Sequence, residues 1–271
     1  MKAALNIAIC QMTSTDEVTS NFKQIETLLN SVTAPVDLAF FPENCLYMRL
    51  KEGSTIPGLQ LSDPVFSQLK ELATKKSCAL HLGSIPLREG EKLTNASVLV
   101  TADGQVECTY RKMHLFDITL DGQKPVKESD IFLHGLKPHI LQMRGWKLGQ
   151  TICYDLRFSE LFSVYAKQAV DIILVPSAFL VTTGQAHWEV LLRARAIESQ
   201  CYIIAAAQAG THVNSKGDQR KTYGHSMLVS PWGEIIYQAP ADLPQAQALQ
   251  LDPSLIAKVR KQIPMHSHRR F

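Results

Sequence analysis

Apolar runs recur along the chain with stretches of helical spacing between them. The run at residues 5–10 is followed by helical periodicity over 21–29, and the run at 38–41 by helical periodicity over 65–76; apolar runs at 79–85 and 97–101 come next. The second half repeats the alternation: a strand at 147–153, a helix at 159–168, a strand at 172–175, a helix at 186–200, and strands at 202–208 and 226–230 before the turn Pro231-Trp232-Gly233. Such alternation predicts an α/β fold with a largely buried sheet. The runs 98–100 and 104–110 flank Asp103-Gly104 and predict a β-hairpin, so the sheet is mixed. No Gly/Ser-rich linker or low-complexity tract divides the chain, which predicts one domain over 1–271. Residues 119–134 are polar, contain Gly122 and Pro125 and lack periodicity; they read as a surface loop, a candidate lid.

Composition narrows the function classes. With 28 Lys+Arg against 25 Asp+Glu, a net charge of +3 and 45% hydrophobic residues, the chain reads as an ordinary globular protein, neither disordered nor collagen-like. The six cysteines stand singly at Cys10, Cys45, Cys78, Cys108, Cys153 and Cys201, without a C-x-x-C pair, which is neither a disulfide framework nor a zinc ribbon. A reducing, cytoplasmic setting is the simplest expectation. The longest apolar stretch, 170–181, contains Asp171 and Pro176 and is too short to cross a bilayer, and Asn6 and Gln11 interrupt the N-terminal run. Basic residues are scattered except at His268-Arg269-Arg270, so neither a nucleic acid nor a membrane is an expected partner. Small-molecule chemistry remains.

Three segments carry candidate chemistry. Gly149-Gln150-Thr151-Ile152-Cys153-Tyr154-Asp155 is an apolar strand that ends at a cysteine and turns at once into a helix. A thiol at such an elbow lies near a helix N-terminus, whose partial positive charge favours thiolate, and the Tyr154 N–H stands ready for a developing oxyanion. Phe40-Phe41-Pro42-Glu43-Asn44 sets a carboxylate just past a strand, where a cleft-facing acid would serve as a general base. Tyr110-Arg111-Lys112-Met113-His114-Leu115-Phe116 sets cations past another strand. Taken singly, each has an ordinary reading: a buried small hydrophobe, a loop acid or helix cap, a surface charge.

Taken together, in this order and at these separations, they resemble the nitrilase superfamily of carbon–nitrogen hydrolases. The likeness runs from Ala8-x-Cys10-Gln11-Met12 to Tyr223-Gly224-His225-Ser226 and Pro231-Trp232-Gly233. What it implies is a catalytic Cys–Glu–Lys triad of Cys153 (nucleophile), Glu43 (general base and acid) and Lys112 (oxyanion stabilisation), with Glu128 as a second, positioning carboxylate. It also implies a four-layer α-β-β-α sandwich with mixed sheets, a homodimer that stacks the subunits' helices, and a C-terminal tail from about 254 to 271 at the subunit interface. No cofactor or metal is expected, since sulfur supplies the nucleophile and Lys112 the positive charge. Within the superfamily, Pro176-Ser177-Ala178-Phe179, the stretch 186–198 and Ala205-Ala206-Ala207-Gln208-Ala209-Gly210 look like the branch that acts on deaminated glutathione. The omega-amidase branch is the near relative and shares Thr183-Gly184-x-Ala186-His187-Trp188-Glu189. Ser230 departs from the family's usual Asp or Asn and leaves a turn cap in question.

The implied substrate is a 2-oxo acid amide. Its carboxylate calls for a guanidinium, for which Arg157, one helical turn past the nucleophile, is the candidate; pairing with Glu160 or Asp155 is the alternative. Tyr154, Phe179, Thr183 and, from the Glu43 loop, Tyr47 are the remaining candidate substrate-binding residues. Rival readings are an acyl-transferring or nitrile-hydrolysing relative with the same triad, and a silent binding protein on the same fold. Arg193 and Arg195 with Glu189 and Glu198 read as structural ion pairs on one helix, and His266-Ser267-His268 as part of the tail. Cys153→Ala and Lys112→Ala are expected to give folded, inactive proteins.

Overall fold

The computed structural model describes residues 2–119 and 126–270. In chain order the first half holds β1 (Leu5–Gln11), α1 (Val18–Ser31), β2 (Leu38–Phe40), α2 (Pro64–Lys76), β3 (Ala79–Glu89), β4 (Lys92–Val100) and β5 (Val106–Arg111). Short elements follow: β6 (Asp117–Ile118), β7 (Val126–Lys127), a 3-10 turn (Glu128–Asp130) and β8 (Phe132–Leu133). The second half holds β9 (Ile140–Met143), β10 (Trp146–Gln150), a 3-10 helix (Cys153–Arg157), α3 (Ser159–Lys167), β11 (Ile172–Leu174), α4 (Val181–Ser199) and β12 (Tyr202–Ala205). It closes with β13 (Ala209–Val213), β14 (Gln219–Tyr223), β15 (Met227–Val229), β16 (Ile235–Gln238), β17 (Gln245–Leu251), α5 (Pro253–Gln262) and α6 (Met265–His268).

Two mixed sheets result, ordered β17-β1-β2-β3-β4-β5, with β8 also on β4, and β16-β15-β12-β11-β10-β9. Within each, the three consecutive parallel strands (β1, β2, β3 and β10, β11, β12) read as continuous apolar runs because both faces are covered. The two-residue period divides each run between two cores. In β1, Ile7 and Ile9 pack between the sheets while Ala8 and Cys10 pack toward α1 and α2. In β11, Ile172 and Leu174 pack between the sheets while Ile173 joins the core beneath α3 and α4. Helix, sheet, sheet, helix is therefore the layer order, as the sequence led us to expect.

Several local expectations need revision. Residues 119–134 are not a featureless loop: β7, the 3-10 turn and β8 lie within them, because Phe132 and Leu133 pair with Leu93 and Thr94 of β4. The middle of that candidate lid, 120–125, lies outside the described residues. The C-terminal segment is helical: α5 buries Ile256 and Val259 against the chain's own body, Arg260 donates to the carbonyls of Gln200 and Val170, and Arg269 donates to that of Glu198. His266 and His268 lie on the short α6. The β13–β14 hairpin and β17 escaped the periodicity argument. β17 has only Leu251 buried, its other residues being half-buried or exposed as in an edge strand, and runs antiparallel to β1. The ion pairs on α4 form as expected, Arg193 with Glu189 at 3.2 Å and Arg195 with Glu198 at 3.0 Å. Ser230 does cap its turn, its hydroxyl accepting from Trp232 N and Glu234 N.

Candidate active site

The site is built where strands end. Glu43 follows β2, Lys112 follows β5, Cys153 follows β10 and Ala178 follows β11, so both sheets contribute to one end of the sandwich. Gly83 on β3 makes this convergence possible. A Cβ there would sit 2.1 Å from the Phe41 carbonyl oxygen and 2.3 Å from Pro176 Cβ, so only glycine lets the loop carrying Glu43 and the loop carrying Ala178 close over it. Gln208 Nε2, from the second sheet's side, donates to the Glu43 carbonyl at 2.9 Å and fixes that loop further.

Cys153 opens the 3-10 helix with φ +47°, a left-handed value that costs a non-glycine residue about 1–3 kcal/mol. Asp155 holds the strained turn. Fully buried, its carboxylate accepts from Ile152 N at 2.9 Å, Tyr110 Oη at 2.8 Å, and His114 N at 2.9 Å, with His114 Nδ1 at 2.7 Å. That engagement removes Asp155 as a partner for Arg157. The elbow is thus tied to the segment that carries Lys112, two residues before His114.

Around the thiol the charged groups form a compact cluster. Lys112 Nζ donates to Glu43 Oε1 at 2.8 Å and lies 2.8 Å from Glu128 Oε2. The Lys112 side chain is 2% exposed, that of Glu43 5% and that of Glu128 12%. Burial by itself would drive the ammonium toward its neutral form, but Glu128 and Glu43 together, with Cys153, overcome that and hold its pKa well above the usual lysine range. Glu43 Oε2 accepts from Ala178 N at 2.9 Å, and Glu128 Oε2 from Phe116 N.

The cysteine corrects the sequence-based expectation of a thiolate. Burial and then the adjacent Glu43 carboxylate push the Cys153 thiol well above its ordinary range; Lys112 opposes them and is outweighed, and a hydrogen bond to Glu43 holds the proton in place. A five-residue 3-10 helix does not offset the loss of solvent. The Cys153 sulfur is therefore held as S–H, with the Glu43 carboxyl group beside it.

Two participants were not foreseen. Asn95, 1% exposed on β4, donates from Nδ2 to Glu43 Oε1 at 3.1 Å and to Glu128 Oε1 at 2.9 Å, and its carbonyl accepts from Lys112 N. Its sequence signal is the polar pair Thr94-Asn95 set between Leu93 and Ala96 in a strand that ends in the apolar run Val98-Leu99-Val100. Asp155 is the second; the sequence offered it only as a neighbour of Cys153 and an alternative partner for Arg157.

A cavity of about 810 Å³, mouth included, opens above the cluster, and Glu43, Lys112, Glu128 and Cys153 line its floor. All five candidate binding residues line it too: Tyr47, Tyr154, Arg157, Phe179 and Thr183. Arg157 pairs with neither suggested acid; its Nη1 lies 3.1 Å from His187 Nδ1, and its guanidinium sits 5.5 Å from the Phe179 ring centre and 5.9 Å from that of Tyr154. Arg49 and Arg220 also line the walls.

Residues 6–261 match the family model described as carbon–nitrogen hydrolase. A deaminated glutathione amidase from Yersinia enterocolitica is 36% identical, over 98% of this chain and 93% of its own. One from Rattus norvegicus is 39% identical, over 97% and 82%. The crystal structure of the C. elegans NitFhit protein superposes with a TM-score of 0.86 at 33% identity, over 99% of this chain and 66% of that one.

Proposed function

We propose, since the chain belongs to the carbon–nitrogen hydrolase family and is an amide-hydrolysing enzyme, that it cleaves the amide of deaminated glutathione through a thioester on Cys153. The observation that carries the reading is the convergence of Cys153, Glu43 and Lys112, from three remote stretches, on the floor of one cavity walled by arginines.

In the first half-reaction the Cys153 sulfur attacks the amide carbonyl while Glu43 takes the thiol proton. Lys112 and the Tyr154 N–H, which meets no backbone acceptor among the described residues, stabilise the tetrahedral oxyanion. Glu43 passes the proton to the leaving nitrogen, the C–N bond breaks, and a thioester remains. In the second half Glu43 takes a proton from water, the hydroxide attacks the thioester, and the proton returns to sulfur as the carboxylic acid departs. Glu128 engages Lys112 as a second carboxylate beside Glu43 and so fixes where the positive charge sits. Arg157 receives the carboxylate of the 2-oxo acid, with Phe179, Tyr154, Thr183 and Tyr47 shaping the surroundings.

The assembly we propose is a homodimer in the cytoplasm. Val164 on α3 and Val190 and Ile197 on α4 are exposed apolar side chains of the outer helical layer, Trp232 is exposed in the turn whose Gly233 meets Ile197, and Arg269 ties the C-terminal segment to the end of α4. Among the described residues no helix is long and apolar enough to cross a membrane.

The test is a competition assay that gives the purified protein deaminated glutathione and 2-oxoglutaramate and compares specificity constants, with quenched samples weighed for an acyl adduct on Cys153. Faster turnover of deaminated glutathione is expected. Faster 2-oxoglutaramate hydrolysis would move the chain to the omega-amidase branch, and turnover of neither would refute the reading. Light scattering on the same preparation reads the dimer, and a monomer would remove that part.

A further inference from the structure

The walls of the cavity carry charges that the triad does not use. Its two carboxylates, Glu43 and Glu128, are both engaged by Lys112, and the remaining charged lining residues are Arg49, Arg157 and Arg220. Arg49 is held by Glu52 at 2.6 Å. The other two stand without a carboxylate partner: among the described residues the arginines in ion pairs are 49, 111, 144, 193 and 195. Both Arg157 and Arg220 are half-buried, so each has given up part of its hydration with no fixed anion in return.

Arg220 sits on β14, opposite His212 of β13. Its charge reaches inward: burial first, then Arg220, holds the His212 imidazole down at about 4. The neutral ring bonds Thr222 Oγ1 at 2.8 Å and the Ser14 carbonyl at 2.7 Å, so it offers no negative charge in return. The loop of Arg49 and Tyr47, the start of α4 at Thr183 and the β14 strand at Arg220 all line the cavity, so its walls carry cationic groups besides those of the Cys153–Glu43–Lys112 cluster.

We propose that this cavity is a two-carboxylate site, in which Arg157 binds the carboxylate of the 2-oxo acid and Arg220 binds a second carboxylate carried by the leaving amine. The ligand class is an amide with an anionic group on each side of the scissile C–N bond. The inference rests on the functional reading above and sharpens it. A substrate whose amine half is ammonia leaves Arg220 unmatched, whereas an amine half ending in a carboxylate matches both guanidiniums.

Binding is read by calorimetry on the Cys153→Ala protein, which holds ligand without turning it over. Three probes are used: deaminated glutathione, the same molecule with its glycine carboxyl converted to a carboxamide, and 2-oxoglutaramate. The dianion is expected to bind about 10- to 100-fold more tightly than the carboxamide. Adding Arg220→Gln should collapse that ratio toward one, Arg220→Lys should restore part of it, and Arg157→Gln should weaken all three probes. Equal binding of the dianion and the carboxamide, or an Arg220→Gln loss of the same factor for both, would overturn the proposal. Wild-type turnover is measured separately, so a protein that keeps the carboxylate ratio but hydrolyses nothing refutes the amidase reading while upholding the two-anion site.

Discussion

Replacing Lys112 by Met tests the cluster as a physical unit. The ammonium lies 2.8 Å from Glu43 Oε1 and 2.8 Å from Glu128 Oε2; the Lys112 and Glu43 side chains are buried and that of Glu128 is half-buried. Met fills the same channel but leaves two carboxylates facing each other with only neutral donors: Asn95 Nδ2, Ala178 N and Phe116 N. Breaking a buried ion cluster by removing its one cation costs about 3–5 kcal/mol. Set against a total stability of roughly 5–15 kcal/mol, the variant stays folded at 25 °C but is weakened. At about 2–4 °C per kcal/mol for a chain of this size, its Tm falls by roughly 6–20 °C. The variant is thus expected to be folded and inactive, and less stable as well. The double variant Lys112→Met/Glu128→Gln removes one of the stranded charges, so it should be more stable than Lys112→Met, with a coupling of about 1–3 kcal/mol in the cycle. Calorimetric scans of the wild type, both single variants and the double variant read this directly, and turnover should be absent wherever Lys112 is missing. A Lys112→Met midpoint within about 2 °C of the wild type, or a double variant that loses the sum of the singles, would refute the electrostatic account.

Further consequences are as direct. Asn95→Leu keeps the volume but removes one donor from each of Glu43 and Glu128, and with carboxylate acceptors worth about 1.5–3 kcal/mol apiece it should lower kcat about 10- to 100-fold; a kcat within twofold of the wild type would show that the bridge is idle. Because burial and Glu43 keep Cys153 protonated, thiolate absorbance near 240 nm should show no Cys153-dependent step below pH 9, the difference being taken against Cys153→Ala; such a step between pH 6 and 9 would mean that Lys112 wins instead. His81 is fully buried, and burial pushes its pKa down from the ordinary imidazole value near 6.5 to about 4. The unfolded chain therefore binds a proton below pH 6.5 that the folded one refuses until about pH 4, so this histidine withdraws up to about 3 kcal/mol of stability as pH falls through that window. His81→Gln should flatten the acid limb of a urea-midpoint profile, and an unchanged slope would contradict this. Gly83→Ala should disorder the site by driving a methyl group into the Phe41 carbonyl, seen as loss of soluble or active protein; full activity would contradict the close approach.

How much of this was legible follows from which interactions are local. The parallel strands could be read because a sheet covered on both faces needs apolar residues at successive positions, and β1, β11 and β12 supply them. β17 could not, since Gln245, Gln247 and Gln250 mark an edge strand by the same polarity that marks a loop, and only its pairing with β1 distinguishes the two. Glu43, Lys112 and Cys153 were visible because each directly follows a strand or ends a strand-like run, and because their order resembles a known superfamily. Nothing in any one of those segments specifies that the groups meet.

What stayed hidden is what holds them together. Asn95 reaches Glu43 and Glu128 through the register of β4, where Ala96 pairs with Arg111 and brings the end of β5 alongside; a shift of one residue would turn its amide to the opposite face. Asp155 reaches Tyr110 and His114 across 41–45 residues of chain, so a carboxylate that sequence proximity offered to Arg157 belongs instead to the elbow. That reassignment leaves the Arg157 guanidinium on Phe179 and beside His187, in the cavity and free for an anion from outside. One buried aspartate thus holds the turn at Cys153 and, being fully occupied there by Ile152 N, Tyr110 Oη and His114, is no partner for the Arg157 guanidinium.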